Sequence, residues 1–263
     1  MIFKIRDHFD LDKTLDCGQC FRWVKKSNYW SGVVNGYLSN VYFENQHLKI
    51  ESDLNSLTFW KNYFDLDFDY SKPIKQFLNY GYPLSTATRE NSGIHILNQD
   101  PWEVLCSFII SQNNNIPRIK SIIERLCRCY GTCHDKYYSF PSPKIISSLN
   151  ISELSAIKAG FRAKYILDAA KCVSDLKVDL DSIHSMESCD ALRYLQSING
   201  VGPKVSSCVL LYGFHRTDCF PIDTWIKKVL HKFPDFNFDL LPHKGLAQIY
   251  LFNWIRSHPE YLE

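Results

Sequence analysis

"LQSINGVGPKVSSCVLLYGF" (Leu195 to Phe214) decides how the rest of the chain is read. "DALRYLQSI" and "KVSSCVLLYGF" carry apolar residues at helical spacing, and "NGVG" between them reads as the turn that joins two helices. Gly200 and Gly202 allow backbone geometry that other residues resist. Amides of such a turn, with those that open the next helix, can point outward at an anion. On pattern alone an inert helical hairpin is equally compatible. A nucleotide P-loop is not: Lys204 is followed by Val205, and no strand precedes the glycines.

Lys204 makes the turn more than a connector. The macrodipole opposes a cation in the first turn of a helix, and an uncharged amine is the nucleophilic form of lysine. Cys208 follows one turn later on the same face. The plain alternative is a solvated lysine and a buried thiol. Asp223 opens the next helix in "CFPIDTWIKKVL". Its ordinary role is an N-cap, but a lysine and a carboxylate on successive helix starts could also face one cleft.

Outward from this core, the front of the chain reads as β. "YWSGVV" and "YLSNVYF" are rich in β-branched and aromatic residues, with Asn35-Gly36 between them. That dipeptide suits a type I′ turn, which needs positive φ at both centres. "HLKIES" adds a further strand, so an antiparallel sheet is expected. Helical patterns follow: "SLTFWKNYF", "PWEVLCSFIIS" capped by Asp100, and "IPRIKSIIERLCRCYG" closed by Gly131. "NISELSAIKAG" has Asn150 and Glu153 in capping-box positions and stops at Gly160. Further helices are expected at 163–176, 189–197, 203–214, 224–233 and 243–255. Turn chemistry from "TREN" to "HILNQD" places a domain boundary at 92/93. The expected fold is α+β: an N-terminal β-rich domain over residues 1–92 and a mostly helical domain over 93–263.

With 263 residues, 45% of them hydrophobic and 14% aromatic, the chain can build a real core. No apolar stretch approaches a membrane span, and the start has no signal-peptide pattern, so an intracellular protein is expected. In that setting the ten cysteines read as free thiols rather than disulfides. Cys17 and Cys20 form one C-x-x-C without a matching second pair, and Cys127, Cys129 and Cys133 fit no ribbon or cluster spacing, so no metal site is expected. The net charge of +2 says little, but residues 201–232 hold five Lys/Arg against two Asp, a local bias that nucleic-acid binders show.

The hairpin with "FPIDTW" resembles the lysine-plus-aspartate signature of the helix-hairpin-helix DNA glycosylases. "DCGQCFRW" (Asp16 to Trp23), "QDPWEVLCSFIISQNNNIPRI" (Gln99 to Ile119), "GFRAKY" (Gly160 to Tyr165) and "LAQIYLF" (Leu246 to Phe252) resemble segments of the 8-oxoguanine DNA glycosylase family, in the same order. The last cysteine is Cys219, which argues against the iron–sulfur branch. Lys204 argues against the methyladenine branch.

The resemblance implies a glycosylase domain over 93–263 with associated AP lyase activity, acting on double-stranded DNA that contains an oxidised purine. It implies that Lys204 attacks the sugar and that Asp223 stabilises the charge that develops there. Gly18 would read the damaged base through its carbonyl, Gln248 its Watson–Crick edge, and Phe252 and Cys208 its two faces. Asn113, Arg118 and Arg162 match positions that meet the orphaned cytosine, with Phe161 as a wedge, so cytosine is expected opposite the lesion. Gly200 and Gly202 would meet a DNA phosphate. No cofactor is required; the superfamily suggests a monovalent cation at the hairpin. Trp225 departs from the eukaryotic relatives, which have a phosphate-contacting histidine there. With the compact stretch between Phe233 and His243 and no nuclear-type basic tail, this suggests a monomer in the cytoplasm or nucleoid of a prokaryote. The competing readings are a glycosylase of the same superfamily for another oxidised or alkylated base, and a non-catalytic, structure-specific DNA-binding protein.

Overall fold

A computed structural model describes residues 1–5 and 8–262. Strands β1 (Ile2–Lys4), β2 (Val24–Lys25), β3 (Trp30–Val34), β4 (Tyr37–Glu44) and β5 (His47–Ser52) form one antiparallel sheet in the order β1-β5-β4-β3-β2. A short helix α1 (Leu11–Asp16) lies between the first two strands. The β3–β4 turn is the two-residue hairpin expected at Asn35-Gly36: φ is 49° and 82°, and Val34 pairs with Tyr37. Trp30, Val41, Leu48 and Ile50 face a small core closed by Trp60 and Phe64. These last two belong to α2 (Leu57–Tyr63) and the residue after it.

The helical body follows: α3 (Ser71–Tyr80), α4 (Leu84–Asn91), α5 (Pro101–Ser111), α6 (Ile116–Tyr130), α7 (Pro143–Ser147), α8 (Arg162–Ser174), α9 (Ser188–Gln196), α10 (Pro203–Gly213), α11 (Thr224–Lys232) and α12 (Lys244–Ser257). A single large core runs through them, with α10 against α5 and α9, and α12 against α4 and α11. α3 and α4 precede residue 93 yet send Ile74, Phe77, Leu84 and Ala87 into this larger core. The fold is therefore α+β, a five-stranded antiparallel sheet followed by a mostly helical region.

Two local readings change in the structure. "NISELSAIKAG" keeps its reciprocal capping box, with Glu153 N–H donating to Asn150 Oδ1 at 3.0 Å and Asn150 N–H to Glu153 Oε2 at 2.8 Å. The segment then forms a 3₁₀ turn (Glu153–Ile157) rather than an α-helix, because only Leu154 and Ile157, three apart, are buried. Gly131 does end its helix, but at φ −78°, not in a left-handed cap. Glycine is required there because a Cβ would lie 2.0 Å from the Ser139 carbonyl oxygen.

Candidate active site

The helical hairpin is built as expected. Gly200 turns at φ 82°, and a Cβ on it would sit 2.3 Å from the Tyr165 ring. Gly202 is the N-cap of α10, and a Cβ there would meet nothing within 4 Å. The Gly202 carbonyl accepts the first helical bond, from Ser206 N–H, so the amides of Lys204 and Val205 lie at the unsatisfied helix start. On the other side, Gln112 Nε2 donates to the Gly200 carbonyl at 3.0 Å and ties the hairpin to the end of α5.

Lys204 projects from this first turn into a cavity of about 1000 Å³. Its ammonium donates to Ser111 Oγ at 2.9 Å and stands 4.8 Å from the centroid of the Phe108 ring. Ser111 Oγ–H donates to the Phe108 carbonyl at 2.8 Å, so the hydroxyl offers the amine a lone pair. Cys208 forms buried wall beside Lys204. Burial pushes its thiol up to about 11, against the pull of the Lys204 charge, so the wall stays neutral.

Asp223 satisfies both roles weighed for it. One oxygen caps α11 by accepting from Ile226 N–H at 2.9 Å, and the residue also lines the cavity. Burial raises its pKa above the ordinary 3.8, while the Ile226 bond and the Lys204 charge act in the other direction. The carboxylate is thus near enough to feel the lysine, although the lysine's hydrogen bond goes to Ser111.

Gly18, Gln248 and Phe252 close the far side. Gly18 turns at φ 91°, and Phe252 Cε1 and Ile116 Cδ1 each stand 3.4 Å from where its Cβ would lie. Gln248 is buried, and Tyr212 O–H donates to its Oε1 at 3.5 Å. Tyr212 in turn stacks on Phe108, with centroids 5.4 Å apart, which makes one aromatic floor from Lys204 to Gln248. Trp225 also lines the cavity, with Lys228 5.5 Å above its ring.

The residues expected to meet the opposite strand divide. Asn113, at φ 47°, Arg118 and Phe161 are exposed. Arg162 is not: it is 3% exposed and bonds the carbonyls of Gln112 (from Nε at 2.7 Å, and also from Nη2), Asn113 (2.7 Å) and Ala159 (3.2 Å). Phe161 lies 4.4 Å across the guanidinium. Burial first and the nearby Arg118 charge second lower the Arg162 pKa.

Sequence reasoning missed Phe108, Ser111, Tyr212 and Arg256. Ser111 is the last residue of an apolar helix, and its hydroxyl also bonds that helix's own Phe108 carbonyl. Arg256 carried a usable signal, since it lies four residues beyond Phe252 and so on the same helical face. Among the described residues no group of three or more His, Cys, Asp or Glu could hold a metal ion, and no helix is long and apolar enough to cross a membrane.

Residues 106–235, which contain the hairpin and Asp223, match the HhH-GPD superfamily of base excision DNA repair proteins. Residues 1–105 match the N-terminal domain of 8-oxoguanine DNA glycosylase. The chain belongs to the HhH-GPD superfamily, and within it to the N-glycosylase/DNA lyases that carry this N-terminal domain. The structure of MBOgg1 in complex with a low affinity DNA ligand is 36% identical and superposes with a TM-score of 0.89 over 98% of this chain and 96% of that one. The Clostridium acetobutylicum 8-oxoguanine glycosylase/lyase, in complex with double-stranded DNA containing cytosine opposite 8-oxoguanine, is 31% identical, with a TM-score of 0.88 over 98% of both chains. The N-glycosylase/DNA lyase of Saccharomyces cerevisiae is 32% identical over 83% of this chain, which spans 66% of the yeast protein's length. With a fungal relative this similar, family membership does not carry the prokaryotic setting expected from the sequence.

Proposed function

We propose that this protein is a bifunctional DNA glycosylase/AP lyase that excises 8-oxoguanine from duplex DNA, with cytosine as the preferred opposite base. The observation that carries the reading is one cavity lined together by Lys204, Asp223, Gly18, Gln248 and Phe252. An enzyme that acts on a base must take it out of the stack, and a cavity of about 1000 Å³ has room for a flipped nucleotide. 8-Oxoguanine differs from guanine by a C8 carbonyl and a hydrogen on N7. A backbone carbonyl at Gly18 can accept from that hydrogen, where guanine offers only a lone pair.

In this mechanism uncharged Lys204 attacks C1′ of the flipped nucleotide. The new C–N bond forms as the glycosidic bond breaks, and the base departs with the bonding electrons and then takes a proton. The sugar ring opens to a Schiff base. Loss of a C2′ proton expels the 3′ phosphate and nicks the strand, and water then releases the lysine. Asp223 stabilises positive charge on the sugar as the glycosidic bond weakens. A backbone phosphate would rest on the amides at the start of α10, beside the open side of Gly202. These bond changes need no redox cofactor. A monovalent cation, if the hairpin takes one, would be held by backbone carbonyl oxygens of the turn and would supply positive charge toward a DNA phosphate.

The test is borohydride trapping on an 8-oxoguanine duplex with each of the four bases opposite. The expected result is a covalent adduct that forms fastest opposite cytosine. No adduct with any duplex would reject the lyase, and equal rates opposite adenine and cytosine would reject the preference.

A further inference from the structure

Gly18, at the edge of the base site, and Phe252, on one of its faces, are held relative to each other by a residue that the mechanism above does not use. Gly18 lies on the segment after α1, and Phe252 on the last turns of α12, 234 positions later in the chain. On one side Gln19 anchors the Gly18 segment. Its Nε2 donates to the carbonyls of Thr14 (2.9 Å) and His95 (2.8 Å), and its Oε1 accepts from Leu97 N–H at 2.9 Å. None of these partners belongs to α12.

The tie to α12 is Arg256. Its Nη2 donates to the Asp16 carbonyl at 3.1 Å and to Asn253 Oδ1 at 3.0 Å. Asn253 Nδ2 continues the line to Asn91 Oδ1 at 2.6 Å, and buried Asn91 donates to the carbonyls of Ala87 (2.9 Å) and Tyr250 (3.4 Å). The guanidinium is thus oriented from behind by an amide relay rather than left free. Its plane lies 5.5 Å from the Phe252 centroid, and its Nη1 is 3.6 Å from where a Gly18 Cβ would be. One side chain therefore lies beside both Gly18 and Phe252, and it lines the cavity itself.

We propose that Arg256 is a positioning residue that fixes the Gly18 backbone relative to the Phe252 ring, and so sets how the site seats 8-oxoguanine for excision. The proposal rests on the base-excision reading. Discrimination by a single N–H to a single carbonyl is sensitive to small displacements, since a hydrogen bond weakens steeply outside its usual range. Strand cleavage at an abasic site has no base to seat, so it escapes the effect.

Arg256→Met keeps an apolar stem over Phe252 and removes the bond to Asp16. Single-turnover excision of 8-oxoguanine opposite cytosine should fall about tenfold, and β-elimination on the same duplex carrying a preformed abasic site should stay within about twofold. Arg256→Lys, which can still donate to the Asp16 carbonyl, should recover part of the loss. Equal losses in both assays would mean general damage and would overturn the proposal, as would normal excision by Arg256→Met. If the wild-type protein nicks the abasic duplex but leaves 8-oxoguanine in place, the substrate reading fails and this proposal with it. If wild type excises the lesion and Arg256→Met matches it, this proposal alone fails.

Discussion

Two cations flank the end of α5, and they are held in opposite ways. Lys204 donates to a hydroxyl, has the Cys208 thiol beside it, and lines the cavity. Arg162 spends its guanidinium on the carbonyls of Ala159, Gln112 and Asn113 and is buried in doing so. The first arrangement presents a group to a ligand; the second uses a group to shape a turn. Nearness to the end of α5 is therefore a poor guide to which cation is free to meet a ligand. What separates the two is the number of internal partners each must give up.

The largest effect should come from removing the presented cation. Lys204→Gln should retain lesion binding but lose excision and strand cleavage by on the order of 10⁴-fold or more, with no borohydride adduct. An adduct with that variant would place the nucleophile elsewhere and erase the contrast with Arg162.

Asp223→Asn comes next, because amide nitrogen or oxygen can still occupy the cap while the charge is lost. Excision should fall by on the order of 10²- to 10³-fold. The pH profile gives a second handle. Burial raises the Asp223 pKa above 3.8, so the folded state holds that proton more tightly than the unfolded chain does. Its contribution to stability is present below 3.8 and is lost as pH rises through the folded value. The ionised form that the proposed mechanism uses therefore predominates only above that raised value. The acid limb of the excision rate should lie above 3.8 and should vanish in Asp223→Asn.

The pinned cation should behave in the reverse sense. Arg162→Met leaves buried carbonyls of the α5–α6 turn without their donor and should cost about 2–4 kcal/mol in urea unfolding. Its ratio of excision opposite cytosine to excision opposite adenine should be unchanged if the clamp is its whole role. Arg118→Ala, at an exposed position, should leave stability within about 0.5 kcal/mol and lower that ratio. If Arg162→Met instead changes the ratio and leaves stability alone, the guanidinium leaves its carbonyls on the DNA, and the two cations differ less than their geometry indicates.

How much of this was legible depended on whether the information was local. The Asn35-Gly36 hairpin, the Asp100 cap and the limits of α10 follow from neighbours within a few residues, and the structure has them where the pattern put them. Lys204 and Asp223 were legible because each opens a helix whose start is visible in the sequence. The burial of Arg162 was not, since its partners at Gln112 and Asn113 are 50 and 49 residues away. The bond of Arg256 to Asp16, which spans 240 residues, was equally out of reach, although its place on the Phe252 face was not. The 3₁₀ turn at Glu153–Ile157 was misread for a different reason: a capping box marks where a helix begins but not how tightly it winds.

The smallest effect tests the hydroxyl on which the presented cation rests. Ser111 Oγ both donates to the Phe108 carbonyl and accepts from Lys204, so its hydrogen is committed to the helix and its lone pairs are left for the amine. Ser111→Ala removes the acceptor but keeps α5 and the Phe108 ring beneath the amine. The lysine loses its aim rather than its chemistry, and a flexible four-carbon stem then samples more rotamers. Excision should fall about 3- to 10-fold, and the trapped adduct should still form completely given time. Ser111→Thr, which retains the oxygen, should restore most of the rate. A loss as deep as that of Lys204→Gln would mean that the hydroxyl takes part in proton transfer. No loss would mean that the aromatic floor alone positions the amine, and that even one internal partner is more than the presented cation needs.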